Sequence, residues 1–246
     1  MVGNVAYPVA AFAFVLAVWA IVAAVENIPV LFPSVGEVFR GFGGLLADGE
    51  SWRAAGMTLG RITACFLLSL TFAAVLATAG TFFKPLHKFL RPIVTVLQAA
   101  PTMAVILLAV VWMDNTEVPI LVGFLICFPL LYNICHSALD SVDGELLEMA
   151  KVYRMRPVDK LTGIYLPTVF PAVTEGARSA VSLCVKVVIA AEVLAQTRGS
   201  IGIAMQRDSV MFEIADLLAW VVFAIILSFV LEGITVGVKK LWEVTK

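Results

Sequence analysis

The polar residues that could do chemistry in this sequence are gathered in one otherwise apolar run, residues 173–197. If this run is a helix with about 100° per residue, seven polar side chains fall within an arc of about 120°: Thr174, Glu175, Arg178, Ser182, Lys186, Glu192 and Gln196. Ionisable groups in apolar helices usually face a bundle interior or an aqueous cavity. Such a face can line a passage for a solute, or its charges can pair and hold helices together.

Five residues of this face form the predicted solute pathway: Arg178, Ser182, Lys186, Glu192 and Gln196. The lysine near the middle of the run suits an anionic solute, because its ammonium group would offset the charge of that solute. Pairing of Lys186 with Glu192 of a second copy of the chain would explain the lysine equally well. The sequence leaves both interpretations open.

Other kinds of chemistry lack the residues that they need. No G-x-x-x-x-G-K-[ST] loop for nucleotide phosphates occurs in the sequence, so any ATP would be used by a separate subunit. His87 lies in a basic turn, and His136 has no second metal ligand near it in sequence. No carboxylate pair or nucleophile–base pair lies at a plausible depth, so we expect no enzyme activity, cofactor or metal. Four cysteines in apolar runs are predicted to be buried thiols: Cys65, Cys127, Cys135 and Cys184.

The overall composition indicates the surroundings of these residues. Of the 246 residues, 61% are hydrophobic and 14% are charged, whereas soluble domains carry about 25% charged residues. We therefore predict a membrane protein with the lipid bilayer as its solvent. The formal net charge of −1 provides no basic face for phosphates, which argues against nucleic acid as a partner.

A membrane-spanning helix needs about 20 mostly apolar residues. Six segments meet this length, at about 5–26, 54–80, 90–113, 117–138, 173–197 and 213–238. Residues 34–47 predict a short amphipathic helix on the outer side, because their apolar residues recur at helical spacing. Residues 139–172 form a charged loop. The sequence thus predicts an all-α, polytopic membrane protein with six transmembrane helices in a single domain, residues 1–246.

The positive charges in the loops predict the orientation, because cytoplasmic loops are enriched in lysine and arginine. With the N-terminus inside, the outer segments carry Arg40, Arg53, Arg198 and Arg207. The inner segments carry ten basic residues: Lys84, Lys88, Arg91, Lys151, Arg154, Arg156, Lys160, Lys239, Lys240 and Lys246. Both termini and the loop over residues 139–172 are therefore predicted to be cytoplasmic.

Within that loop, the sequence predicts two short helices joined by a turn. Asp143 can cap the first helix, whose acidic residues come early and whose basic residues come late, as the helix dipole favours. Four of its apolar residues share one face: Leu146, Leu147, Ala150 and Tyr153. Pro157 suits the first position of the second helix. On composition alone, this helix-turn-helix could lie on the lipid surface or dock into a groove of a partner.

The spacing in this loop resembles the EAA loop of permease subunits of binding-protein-dependent ABC importers, written E-A-A-x3-G-x9-I-x-L-P. Five of its seven named positions match: Glu148, Ala150, Ile164, Leu166 and Pro167. The two departures are Met149 and Arg154, and Arg154 replaces a glycine that lies in the turn between the two coupling helices of the family. We therefore expect the first helix to continue to Arg156 and to stop at Pro157.

Further segments are similar to the nitrate/taurine/sulfonate branch of these permeases: LFPS at 31–34, TLGR at 58–61, QAAP at 98–101, SVD at 141–143 and AAE at 190–192. The resemblance implies the fold of a type I ABC importer permease, which dimerises around one pathway. It also implies three kinds of partner: two ABC ATPase subunits, a second and identical permease subunit, and an extracytoplasmic substrate-binding protein. The location implied is the bacterial or archaeal cytoplasmic membrane.

The resemblance further implies that the helix-turn-helix fits a cleft on an ATPase subunit and transmits its closure to the membrane helices. Nine residues are expected to take part in this ATPase coupling: Glu145, Leu146, Glu148, Met149, Ala150, Lys151, Tyr153, Arg154 and Pro157.

The function that we predict is ATP-driven import of a small solute by alternating access. A sulfonate, taurine or nitrate is the favoured kind of solute, and the same importer type carrying a vitamin precursor is one alternative. The other alternative is a secondary transporter or channel that uses the polar face of the fifth span without ATP. The absence of an inverted repeat in the sequence and the register of the EAA-like loop both speak against it.

Overall fold

The fold is that of a computed structural model, which describes residues 3–26, 28 and 30–244. Those residues form eleven α-helices and one π-helical turn and contain no β-strand. The helices are α1 (Gly3–Glu26), α2 (Val35–Ala47), α3 (Gly49–Phe82), α4 (Lys84–Ala99), α5 (Thr102–Trp112), α6 (Val118–Asp140), α7 (Gly144–Val152), α8 (Pro157–Lys160), α9 (Leu166–Leu194), α10 (Ile201–Val210) and α11 (Ile214–Val244). The predicted all-α fold is confirmed.

The helices belong to two compact units. The first unit consists of Met1–Met57 and Arg198–Ile226, and the second consists of Thr58–Thr197 and Leu227–Lys246. Along the sequence, α3 and α11 each begin in the first unit and end in the second. The single domain over residues 1–246 stays a prediction.

Several of the described helices are long and apolar enough to cross a membrane. Four meet this standard individually: Val9–Glu26, Gly49–Phe82, Val118–Asp140 and Ile214–Trp242. The pair α4 and α5 makes a fifth if it is counted as one broken span. Helix α9 has 29 residues and hence the length, but Arg178, Lys186 and Glu192 lower its hydropathy. These helices agree with the prediction of a polytopic membrane protein.

The predicted third span, residues 90–113, is not one helix in the structure. Helix α4 ends at Ala99, α5 begins at Thr102, and the two are bent by 97°. Pro101 explains the break, because it has no N–H to continue the hydrogen-bond ladder and disfavours helical backbone in the residue before it. Ala100 accordingly has extended backbone, with φ −66° and ψ 129°. One straight span is replaced by two shorter helices.

Helices α6 and α9 form the centre of the second unit. Their close approach depends on Gly176, where an added Cβ would lie 2.6 Å from Cγ2 of Ile134. The core around them is filled by buried residues of three helices: Ala73, Ala77, Leu131, Tyr132 and Ala180. Because Ala180 is on the buried side of α9, residues such as Arg178 and Lys186 on another side are left exposed.

Helix α2 in the first unit occupies the stretch for which the sequence predicts a short amphipathic helix. The Ser34 hydroxyl accepts a hydrogen bond from the Glu37 backbone N–H at 3.3 Å, and Glu37 Oε2 accepts one from the Ser34 N–H at 2.7 Å. This reciprocal pair is a capping box. The bonds from the Ser34 backbone and hydroxyl lower the pKa of Glu37, because they stabilise its charged form. Trp19 Nε1 donates to the Pro33 carbonyl at 3.1 Å, which ties α1 to the start of α2.

Candidate functional site

The first candidate site is the helix-turn-helix between α6 and α9. The Asp143 side chain accepts a hydrogen bond from the Glu145 backbone N–H at 2.9 Å and so caps α7. Pro157 is the first residue of α8, which continues through a π-helical turn, Leu161–Tyr165, into α9. Both helices are too short to cross a bilayer.

The turn between α7 and α8 does not have the predicted geometry. Helix α7 ends at Val152, and Arg154 has a positive φ of 49°. The Arg154 N–H donates to the Lys151 carbonyl and the Met155 N–H donates to the Ala150 carbonyl, both at 3.0 Å. These two bonds form a Schellman motif, the helix ending that most often has glycine at the left-handed position. The expectation that the first helix continues to Arg156 is wrong, because Arg154 adopts the left-handed conformation itself.

The predicted coupling residues divide by exposure. Ala150 is fully buried and packs with Val142 and Ile164, and the partly buried Leu147 and Met155 border this small cluster. The other eight predicted coupling residues are exposed: Glu145, Leu146, Glu148, Met149, Lys151, Tyr153, Arg154 and Pro157. Tyr153 is 75% exposed, which is unusual for a large aromatic side chain. Ala150 therefore anchors α7, and the eight others are available to a partner.

The second candidate site is the polar face of α9, and its residue Glu192 lies inside the protein. Glu192 is fully buried. Its Oε1 lies 2.9 Å from Nη1 of Arg61, and the Thr58 hydroxyl donates to both of its carboxylate oxygens at 3.0 Å. This contact fits the interpretation that charges of the polar face pair and hold helices together, and the role of Glu192 in the pathway stays a prediction.

Gln196 lies elsewhere than predicted. Helix α9 ends at Leu194, and Gln196 has a positive φ of 50° in a second Schellman-type ending. The Gln196 N–H donates to the Val193 carbonyl, and the Thr197 N–H donates to the Glu192 carbonyl. Gln196 is exposed, but it lies beyond the helix and outside its regular face.

The remaining polar residues of α9 face α11 or the surface of the chain. Arg178 Nε donates to Glu232 Oε2 at 2.9 Å, and the Ser228 hydroxyl lies 3.4 Å from that of Ser182. Lys186 is exposed and makes no ion pair with any residue that the structure describes. Of the five predicted pathway residues, Lys186 is thus the one with an unengaged charge in the middle of a long helix.

A further polar group joins α4 and α6 and was missed at the level of sequence. The rings of His87 and His136 stack with centroids 4.0 Å apart. His87 Nδ1 lies 3.1 Å from the Tyr132 hydroxyl, and His136 Nε2 lies 3.4 Å from Asp140 Oδ2. Within the described residues, no three side chains of the metal-binding types come together. The signal was the i, i+4 spacing of Tyr132, His136 and Asp140, which puts all three on one face of α6.

Arg61 was missed as well, although the sequence carries a signal for it. It is the one charged residue in the predicted span over residues 54–80. A charge in an apolar helix needs a partner, and a glutamate in another span is the obvious candidate. The sequence therefore indicates that Arg61 needs an acidic partner, but Glu175, Glu192 and Glu232 all lie in other predicted spans and only the structure selects Glu192.

Comparison with known protein families gives a match over most of the chain. A family described as the inner membrane component of binding-protein-dependent transport systems matches residues 69–238. The matched part includes α7, α8 and all of α9.

Three curated relatives cover most of the chain. A probable ABC transporter permease protein of Haemophilus influenzae is 29% identical over 68% of this chain and 69% of its own length. The putative aliphatic sulfonates transport permease protein SsuC of Escherichia coli is 24% identical over 86% of this chain and 81% of its own. The taurine transport system permease protein TauC of Escherichia coli is 24% identical over 93% of this chain and 86% of its own.

Solved structures share the fold. A chain of the MetNI methionine ABC transporter in an inward-facing conformation has a TM-score of 0.62 and 16% identity, covering 80% of this chain and 95% of that one. A chain of an amino acid ABC transporter crystallised with histidines has a TM-score of 0.56 and 12% identity, covering 92% of this chain and 98% of that one.

Proposed function

We infer the function from one premise: the chain belongs to the family of inner membrane components of binding-protein-dependent transport systems. It is a membrane-embedded permease subunit of an ABC importer, as its relatives are. From this premise we derive which surfaces of the chain meet its partners and the solute.

The exposed face of α7 is the surface that meets an ATPase subunit, and an importer would hold two such subunits. Charged residues such as Glu148 and Lys151 lie beside exposed Met149 on this short helix, and exposed Tyr153 directly follows its last residue. A mixed patch of this kind is typical of a surface that is covered by a partner. The observation that carries the proposal is this exposure of α7 on a helix that is anchored from beneath by Ala150.

ATP is bound and hydrolysed in that partner. Closure of the ATPases pushes on α7, the helices rock, and the pathway faces outward to accept the solute. The buried cluster of Ala150, Val142 and Ile164 supports this mechanism, because a helix packed on its neighbours moves with them as a unit.

The solute pathway follows the exposed side of α9. Lys186 offers a positive charge there, and Ser182 and Arg178 lie one and two turns before it on the same helix. A solute with an anionic group suits these side chains, and the sulfonates and taurine in the names of two relatives each carry a sulfonate group. Glu192 and Gln196 act on the pathway indirectly, by fixing and ending α9.

The remaining partners follow from the function of an importer. A second, identical permease subunit completes the pathway around the exposed face of α9, and an extracytoplasmic binding protein delivers the solute. Ten basic residues in the inner segments against four in the outer segments support a cytoplasmic position for α7 and both termini. The protein would therefore work in a bacterial or archaeal cytoplasmic membrane.

Co-purification with the cognate ATPase tests the proposal. The charge reversal Glu148→Lys and the truncation Tyr153→Ala should each reduce ATPase recovery at least about tenfold, since centrally placed interface residues can be worth more than one decade in affinity. Glu213→Lys is the matched control, because this exposed glutamate lies on the predicted outer side. The variants should keep the unfolding temperature of the wild type.

Transport in proteoliposomes provides the decisive comparison. Solute uptake should stop when the ATPase is left out or when ATP is absent. Uptake that continues unchanged without the ATPase would overturn the importer function and favour a secondary transporter or channel.

A further inference from the structure

A cleft of about 740 Å³ lies in the first unit and contains none of the predicted pathway residues. It is lined by the start of α3, the loop before α10, α10 itself and Trp220 of α11. Small-molecule sites have volumes of about 300–1,000 Å³ and combine apolar walls with a few polar groups. The walls of this cleft include Ala54, Met57 and Ile203.

Three arginines line the cleft, and two of them have unengaged charges. Arg207 donates from Nε and Nη2 to Asp208 Oδ1, both at 3.0 Å, so its charge is paired with that of Asp208. Arg53 and Arg198 are exposed and form no ion pair with any residue in the described part of the chain. A guanidinium group presents a planar fork of donors that matches the oxygens of a carboxylate or sulfonate.

Two carboxylates, those of Asp48 and Glu50, also line the cleft. Asp48 accepts hydrogen bonds from the backbone N–H groups of Glu50 and Ser51 and from the Ser51 hydroxyl. These bonds lower the pKa of Asp48, because they stabilise its charged form, and the bond from the Ser51 hydroxyl has the largest effect. Glu50 is exposed. Apart from the Arg207–Asp208 pair, the cleft is thus lined by two guanidinium groups and two carboxylates, and the hydrogen bonds of Asp48 hold its carboxylate against the start of α3.

Trp220 contributes a donor that has no acceptor. The side chain is 2% exposed, and its Nε1–H makes no hydrogen bond within the described residues. The ring is held edge-on by Phe223, with centroids 5.8 Å apart. A buried donor without a partner is unfavourable, so an oxygen atom that reached this N–H would be bound favourably.

The loop that carries Arg198 is held in a conformation that requires glycine. Gly199 has φ +64°, and an added Cβ would lie 3.1 Å from Met57 Sδ. The following Ser200 caps α10 by accepting a hydrogen bond from the Ile203 N–H at 3.2 Å. The end of the loop next to α10 is thus fixed, and Arg198 directly precedes it.

We propose that this cleft binds the anionic head group of a small organic oxyanion, a sulfonate foremost, before the molecule enters the membrane pathway. Arg53 and Arg198 bind the oxygen atoms, and Trp220 Nε1–H donates to a third oxygen. The apolar side chains of Met57 and Ile203 contact the organic part. This inference rests on the importer function proposed above, because it assigns the cleft to the outer side of the membrane.

Fluorine NMR relaxation with the purified full chain in nanodiscs tests the proposal. The probe is 2,2,2-trifluoroethanesulfonate, and 2,2,2-trifluoroethanol is the uncharged comparison. Binding to the wild type should broaden the fluorine signal of the sulfonate more than that of the alcohol. Replacing both arginines, Arg53→Gln with Arg198→Gln, should weaken sulfonate binding by about tenfold or more, since each charge-assisted hydrogen bond is worth roughly one decade.

Further variants serve as controls for this test. Arg40→Gln removes an exposed arginine of the same unit that does not line the cleft, and it should bind the sulfonate as the wild type does. Arg53→Lys with Arg198→Lys keeps the charge without the fork and should give intermediate binding. Trp220→Phe should weaken binding several-fold. Thermal unfolding of each variant identifies any loss that comes from misfolding.

Unchanged sulfonate binding in the double Arg→Gln variant would overturn the proposal, as would equal weakening by Arg40→Gln. A double variant that binds the sulfonate normally but no longer captures the purified binding protein would assign the arginines to that protein's carboxylates instead. The assay contains no ATPase, so its failure leaves the importer function standing. If the ATPase does not co-purify with the permease while sulfonate binding is intact, the importer function alone is overturned.

Discussion

Arg61 and Glu192 form a buried ion pair, with Nη1 and Oε1 2.9 Å apart and exposed fractions of 8% and 0%. Both residues lie in helices of a protein that is mostly apolar, and a buried charge without its partner is far more costly than the intact pair. The pair therefore joins α3 to α9 only as long as both charges are present.

Glu192→Gln should lower the free energy of unfolding by about 3–5 kcal/mol, because it leaves the Arg61 charge buried and unpaired. The double substitution Arg61→Leu with Glu192→Leu should be more stable than either single substitution. Thermal unfolding of the purified variants in detergent measures both effects. Arg178→Leu is the control, since Arg178 is 56% exposed in its pair with Glu232 and its loss should cost less than about 1 kcal/mol. If the losses in the free energy of unfolding from the two single substitutions simply add in the double variant, Arg61 and Glu192 do not stabilise the protein as a pair.

Arg154→Gly should stabilise the turn between α7 and α8. The backbone of Arg154 is left-handed at φ 49°, which costs a side-chain-bearing residue about 1 kcal/mol relative to glycine. Arg156→Gly removes the same side chain two residues later, where φ is −64°, and should give no such gain. Hydrogen exchange of the α7 amides compares the two variants. Equal protection in both would show that the left-handed backbone is not the cause.

Ala150→Leu should lower the free energy of unfolding by about 1–3 kcal/mol, because Ala150 is fully buried and the larger side chain overpacks the cluster beneath α7. Met149→Leu should have little effect, since Met149 is 46% exposed. Unfolding temperatures of the two variants check this prediction. A loss of ATPase recovery in Ala150→Leu without any loss of stability would instead make Ala150 a contact residue.

Acid should remove the stabilisation that Asp48 gives to the start of α3. Its hydrogen bonds with Ser51 and Glu50 lower its pKa in the folded state below the ordinary value of about 3.9. The stabilisation is therefore complete above that ordinary pKa and is lost as the pH falls through the folded pKa. Asp48→Ala should unfold at a lower temperature than the wild type at pH 7, and the difference should shrink under acid conditions. A difference that is independent of pH would contradict this assignment.

Much of the fold could be predicted from the sequence, because its largest signals are long apolar runs and local caps. The stretches around α1, α3, α6 and α11 are apolar enough to be recognised by length alone. The cap at Asp143 and the helix starting at Pro157 depend on neighbouring residues, which the sequence displays directly. The likeness to solved importer chains agrees with this all-α fold.

The features that the sequence did not predict depend on contacts between distant residues. A helical arc groups Glu192 with Lys186, but only the packing of α3 against α9 buries one and leaves the other exposed. The conformation of Arg154 is set by carbonyls of α7 and by the packing of Met155, which outweigh the preference of arginine for helical backbone. Pro101 is visible in the sequence, but apolar residues continue on both sides of it, so the run has the length of one span despite the break.

The break at Pro101 has a consequence for electrical insulation. Helix α5 has 11 residues and rises about 16 Å at 1.5 Å per residue, whereas the hydrocarbon layer is about 30 Å thick. Even if it stood perpendicular to the membrane, this segment would cover only about half of the barrier that stops ions. The rest of that barrier must come from whatever packs beside α5, so resistance to ion leakage is a property of the assembled transporter and can be measured as conductance only after assembly.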